Sequence, residues 1–401
     1  MAVQHKKYAD VQSRYEALPK PRHILLVSPG KDTLIAARDQ VRRMIAEGDA
    51  EGGIRVVLEE GEYQLTQTLH FDERDSGTVY APVVWTAQQG KKVLISGGVR
   101  LPAEGFSAVP AGDPLYDRLP MPEQTLVMDL RAQGIESAPY EGGFGQAYAG
   151  EDKVADQNMI GNSWPEVFWG DRALDLVRYP GDDYLRTARS EGRERDKAGD
   201  TSPHKIGFGY DDSRINGWLE PEKAWMQGYF YYDWANALVR VGQVDRANRR
   251  IESAAEIKYG VRDNMRYYFL NVPEELNVPG QYYLDSDNGR LYILPPEGFA
   301  SKPLYLSHVK DALFRFDNAS HMHVCGMRFS YARGSGVLVF GGDGIAVEGC
   351  ELCNLGYAAV ILGCQQDKTI HYVDRIGNGG VNHIVRRCDI WNTGFGGISV
   401  A

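Results

Sequence analysis

Charged side chains fall into columns when the C-terminal part of the sequence is laid on itself. Segments starting at His321, Gly344 and His383 align so that Met327, Cys350 and Cys388 coincide, as do Phe329, Leu352 and Ile390. Val337, Val360 and Ile398 coincide as well. Arg328, Glu351 and Asp389 then share one outward column, and Cys325, Glu348 and Arg386 share another. Carboxylates on strands about 4.8 Å apart repel, which raises the pKa of one of them. Glycosidic cleavage uses such an unequal pair, one group protonating the leaving oxygen and the other acting as nucleophile or base. Glu351 and Asp389 are therefore candidate catalytic groups, with Arg328 and Arg386 as candidate substrate contacts. The plainer reading is a solvated charge ladder in which Arg328 and Glu351 pair across strands for little gain.

A second constellation lies on the segment running from Asp367 to Arg375. His371 and Asp374 there could form an acid/base pair, and Arg375 could hold a substrate. Loops carried by a rigid scaffold are where binding groups concentrate, although a purely decorative polar loop is the competing reading. Trp164, Trp169, Trp218, Trp225, Tyr229, Tyr231 and Trp234 are either stacking platforms for sugar rings or, more simply, core. The chain has no Walker A loop, no GxGxxG between strand and helix, no HExxH and no GxSxG. Asp182–Asp183 and Asp211–Asp212 sit in no EF-hand spacing. The five cysteines, Cys325, Cys350, Cys353, Cys364 and Cys388, make no paired CxxC framework and read as reduced, buried thiols. Neither a metal nor any other cofactor is expected.

The elements that must position these residues follow from the repeat. Met327 and Cys350 are 23 residues apart, and Cys350 and Cys388 are 38 apart. Both steps fit one coil of 23 residues if the second carries an insertion of 15 within CQQDKTIHYVDRIGNGG. Leucine-rich repeats would need several leucines at fixed offsets, which are missing. A parallel β-helix needs only inward apolar residues at alternate positions of short strands. Asn354 and Asn392 take the same turn, where Asn can adopt the left-handed conformation and bond its neighbour in a ladder.

Upstream, HILLVS reads as a strand, and Leu34, Ala37, Val41 and Ile45 give helical spacing up to Gly48. Short β-rich runs follow, a fitting cap and first coils for a solenoid. Residues 101–303 do not repeat, and their Pro, Trp and Tyr content with an Asp287–Asn288–Gly289 hairpin turn suggests an inserted antiparallel, sandwich-like region. The expected fold class is thus all-β: a parallel β-helix interrupted by an inserted β-sandwich-like region, with a short N-terminal capping helix. The expected segments are a polar tail at 1–22, cap and first coils at 23–100, the insertion at 101–303 and further coils at 304–401.

Net charge is −10, and no basic run interrupts the 401 residues, which argues against nucleic acid or an anionic membrane as partner. No stretch approaches the roughly 20 apolar residues of a membrane helix. The first residues, MAVQHKKYADVQSRYEALPKPRH, lack an apolar core, so a cytoplasmic home is expected, or secretion if a leader was removed.

The runs IRVVLEEGEYQLTQTLHF, SGT, APVVWTAQQGKKVLISGG, YYFLNVPEELNVPGQYYLDSDNGRLYILPPEG and NHIVRRCDIWNTGFGGISV resemble the pectin-lyase-like superfamily of right-handed parallel β-helix proteins. Within it the likeness is to bacterial proteins related to glycoside hydrolase family 141, whose members include fucosidases and xylanases. This resemblance implies a right-handed helix and an oligo- or polysaccharide partner. It also implies that the stack continues past NTGFGGIS and that catalytic acids lie on those later coils. The chain stops at Ala401, at the end of a strand, so an open edge prone to self-association is expected. The competing functions are a polysaccharide lyase or epimerase of the same fold and a non-catalytic glycan-binding solenoid.

Overall fold

The computed structural model describes residues 21–135, 143, 145, 147–150, 164–191, 203–363 and 379–400. The described residues contain one α-helix, Thr33–Ala46, and otherwise strands and 3-10 turns. They group into two compact units. One holds residues 1–100, 158–171 and 305–401, and the other holds 101–157 and 172–304. Among the described residues no helix is long and apolar enough to cross a membrane.

The first unit is a stack of coils built on three parallel sheets. One sheet runs His23–Val27, Ile54–Leu58, Val83–Ala87, Met322–Cys325, Ala346–Glu348, Ile384–Arg386. A second runs Gly30–Lys31, Gly61–Gln64, Val93–Ser96, Arg328–Ser330, Glu351–Leu355, Asp389–Thr393. The third runs Leu69–Phe71, Phe314–Asp317, Val337–Phe340, Val360–Leu362, Ile398–Val400. Each pass of the chain adds a strand to the sheets in that order. In the first pass the helix takes the place of a third-sheet strand and sends Leu34, Ala37 and Val41 into the core. The third pass begins at Val83–Ala87 and is completed only by Phe314–Asp317. Its strands nonetheless pair in register with the next coil, as Val324 with Trp85 and Phe329 with Ile95 show.

Alternation of side chains decides what faces inward. Val56, Trp85, Val324 and Val347 from the first sheet meet Tyr63, Ile95, Phe329 and Leu352 from the second and Phe71, Phe316 and Val339 from the third in one buried cluster. Phe71 stacks on Phe316 with centroids 4.8 Å apart and planes at 14°. Inside the second-sheet strands Glu351–Leu355 and Asp389–Thr393, Asn354 and Asn392 both take positive φ, 54° and 50°, and the Asn392 amide donates to Asn354 Oδ1 at 2.5 Å. The expected register is the observed one. Phe329 pairs with Leu352 and Leu352 with Ile390, while Val337 pairs with Val360 and Val360 with Ile398.

The second unit is mainly antiparallel. One sheet is ordered Asp175–Leu176, Gln281–Asp285, Arg290–Ile293, Leu126–Asp129, Ser107–Ala108. The hairpin expected at Asp287–Asn288–Gly289 joins Gln281–Asp285 to Arg290–Ile293, and Gly289 sits at φ 68°. The other sheet centres on Arg266–Leu270, Trp225–Gly228, Ala237–Asp245 and Arg250–Ser253. It buries Phe208, Trp218, Met226, Phe230, Tyr267 and Phe269 together.

Candidate functional site on the second sheet

Outward positions of the second sheet form two columns. The register places Glu62, Leu94, Arg328, Glu351 and Asp389 in one. Ser96, Ser330, Cys353 and Trp391 follow along the other, with Gln64 at its start. The ladder thus brings Glu351 and Asp389 onto adjacent strands, as residues directly opposite each other. Arg328, one strand further, approaches Glu351 with Nη1 3.9 Å from Oε1.

Arg328 is held mainly by a residue far away in sequence. Its Nη2 donates to Asp171 Oδ1 at 2.5 Å, and Tyr331 Oη also donates to Asp171 Oδ1, at 3.3 Å, and to the Gly170 carbonyl at 3.1 Å. Burial opposes the Arg328 charge, but the hydrogen bond to Asp171 and the neighbouring negative groups outweigh it, so its pKa is raised. Its guanidinium lies 5.7 Å from the Trp391 ring centroid. Arg328 Nε is buried.

An aromatic wall stands beside these charges. Tyr305 and Tyr331 stack at 4.2 Å with ring planes 10° apart, and Phe168 packs on Tyr331 at 5.3 Å. Tyr305 Oη donates to Glu62 Oε2 at 3.0 Å. Burial raises the pKa of both tyrosines, which keeps them hydrogen-bond donors at ordinary pH. The close approach requires Gly98, since a Cβ there would meet Tyr331 Cβ at 2.9 Å. Burial also pushes the Cys353 thiol up to about 11, so it stays protonated and is a poor nucleophile.

Glu166 precedes the strand Val167–Trp169 and is tied to Ser307. The Glu166 amide donates to Ser307 Oγ at 2.8 Å, and the Ser307 amide donates to the Glu166 carbonyl at 2.9 Å. The residue as a whole keeps some exposure, but loss of solvation at its carboxyl pushes the pKa up to about 7.

The remaining sequence candidates separate. Arg386 lies on the first sheet, where it donates to Glu348 Oε2 at 2.7 Å, so the columns of Arg328 and Arg386 belong to different faces of the stack. His371, Asp374 and Arg375 lie outside the described residues. Trp164, Trp169, Trp218 and Trp225 are buried, Tyr229 and Tyr231 are half-buried, and Trp234 is exposed. Asp211 pairs with Arg189, and Asp212 accepts from the Arg214 amide and from Tyr179 Oη.

Comparison with solved structures places the fold. A glycoside hydrolase shares it, with a TM-score of 0.62 at 15% identity over 93% of this chain and 74% of that chain. The complex of XylC with xylose aligns at a TM-score of 0.41 and 10% identity, over 85% of this chain and 45% of that one. The Gp54 tailspike of Acinetobacter baumannii bacteriophage AP22, in complex with a capsular saccharide, aligns at 0.16 and 7%, over 90% and 51%. The first likeness establishes the fold and nothing finer, and the other two carry no argument. No family model matches the chain, and no curated protein matches its sequence.

Asp171, Tyr305, Tyr331, Glu62 and Trp391 on this face, and Glu166 beside Ser307, are residues that sequence reasoning passed over. Two of them had a usable signal. Trp391 is two places after Asp389 in an aligned segment, and Glu62 takes the column's position on an earlier coil. Asp171 and Glu166 had none, because Asp171 stands 157 residues before Arg328 and joins it only through the fold.

Proposed function

We propose that this protein is a glycoside hydrolase acting on oligo- or polysaccharide glycans, and that its coil stack is a right-handed parallel β-helix interrupted by a β-sandwich-like insertion. The observation that carries the reading is the pairing of Glu351 with Asp389 on adjacent strands, beside Arg328 and the aromatic rings of Tyr305, Tyr331 and Trp391. Glu351, with a guanidinium next to it, takes the nucleophile or base role, and Asp389 takes the acid role. Arg328, whose side chain keeps 23% exposure, offers its guanidinium to a sugar hydroxyl, and the exposed part of Trp391 offers a ring face. On the loop, His371, Asp374 and Arg375 are further proposed contacts with the glycan.

Glu351→Gln and Asp389→Asn are the deciding variants. Each should lower the release of reducing sugar by at least about a hundredfold, the usual worth of a positioned acid or base. Unchanged turnover in both would remove this face from the chemistry. Absorbance from unsaturated uronate products would instead support a lyase. Arg328 is poorly suited to that reaction, since its raised pKa keeps it charged and unable to act as the base.

A further inference from the structure

The second unit carries a feature that the proposed hydrolytic face does not use. The stretch between strands Trp225–Gly228 and Ala237–Asp245 presents Trp234, 59% exposed although it is a large aromatic residue. Its ring lies over Tyr232, with centroids 5.4 Å apart and planes at 17°, and meets Tyr259 edge-on at 5.6 Å and 63°. Tyr259 also meets Tyr232 at 5.3 Å. One face of the indole is therefore backed by another ring while much of the residue remains open to solvent. Large rings are costly to leave in water, and two neighbours that fix the indole remove most of the entropy cost of using it.

The rim is polar in a way that suits hydroxyls. Arg262 sits 3.8 Å over the Tyr231 ring and 5.4 Å from the Tyr232 ring, which sets its guanidinium beside the platform. Arg266 lies 4.5 Å over Tyr229 and pairs with Asp233 at 3.5 Å. Tyr259 is held at φ 72°, a conformation that bulky residues rarely adopt. Backbone of this kind persists only where surrounding structure over-determines it, and it clusters at binding sites. A flat apolar face with guanidiniums and a carboxylate at its rim matches the amphipathic surface of a pyranose, whose C–H face is apolar and whose edge carries hydroxyls. An apolar protein partner would want a broad patch, whereas this one is a single indole inside a charged rim.

We propose that Trp234, backed by Tyr232 and Tyr259 and rimmed by Arg262, is a glycan-binding subsite that stacks one pyranose unit of a polysaccharide. The choice of a glycan as ligand rests on the function proposed above, but the subsite itself does not depend on hydrolysis. It would hold polymer independently of the Glu351 face.

The test uses the full chain and two insoluble probes, xylan as the neutral polymer and calcium-gelled polygalacturonate as the acidic one. The wild type should be retained on at least one polymer, and Trp234→Ala should be retained about tenfold less, the order expected for one stacked ring. Trp234→Phe should recover part of that loss, and an unchanged melting temperature in Trp234→Ala shows that the fold is intact. Preference for polygalacturonate would assign Arg262 to a uronate carboxylate, and preference for xylan would assign it to hydroxyls. Retention of Trp234→Ala at the wild-type level overturns the subsite, as does failure of the wild type to bind either polymer. Binding that depends on Trp234 in a protein that releases no sugar would leave the subsite standing and refute the hydrolase reading alone.

Discussion

Replacing Glu166 by Gln should flatten the pH dependence of stability between about pH 5 and about pH 8, most of it below neutrality. In the folded chain burial moves this carboxyl from 4.5 to about 7. An acid whose folded pKa is raised favours folding fully below its unfolded value and loses that contribution as pH rises through the folded one. With these two values, ionisation should cost the wild type about 2.5 kcal/mol between about pH 5 and about pH 8. Gln keeps the shape and cannot ionise, so the variant should lack this decrement, and any other titrating group moves both proteins alike. Urea unfolding at the two pH values reads the difference directly through the shift in midpoint. Equal loss of stability in wild type and variant would show that the carboxyl is solvated in the folded chain. A carboxyl still half-protonated near neutral pH is also suited to donating a proton, so its neighbourhood beside Ser307 bears on chemistry as well as stability.

Three further outcomes follow from the geometry. Neighbouring strands lie about 4.8 Å apart, close to the roughly 5–5.5 Å between carboxyls of retaining glycosidases and well short of the roughly 6.5–9.5 Å of inverting ones. Hydrolysis through Glu351 and Asp389 should therefore retain anomeric configuration, and proton NMR of the first-formed product with inverted configuration would contradict the pairing. Leu352, fully buried between Phe329 and Ile390 of the adjoining coils, should cost about 3 kcal/mol of stability on change to Ala, measured by urea unfolding. Gly342→Ala would place a Cβ 2.0 Å from the Ala319 carbonyl at a residue whose φ is 77°, so a loss of about 3 kcal/mol or more is expected from thermal melts.

Much of the coil stack was legible because its determinants are local and periodic. Alternation of apolar and polar residues, repeated every 23 positions, specifies both the strand faces and the register, since a one-residue slip would turn every inward side chain outward. Met327, Cys350 and Cys388 carry that information without any knowledge of coordinates. The Asn354 and Asn392 ladder was legible from the same repeat, and the Asp287–Asn288–Gly289 hairpin because its turn is set by a few adjacent residues.

Partners at long range could not be read. The face around Arg328 depends on Asp171, which reaches it from 157 residues earlier, and on Tyr305, which stacks on Tyr331 and donates to Glu62, 243 residues before it. Periodicity says which way Arg328 points but not what will meet it there. Nor could spacing tell Trp234 from Trp225, nine residues apart, of which one is exposed and the other buried. The columns of charge were written in the sequence. Their assembly with aromatic rings and a distant carboxylate into a candidate site was decided by tertiary structure, because burial and contact between remote segments exist only once the chain has closed on itself.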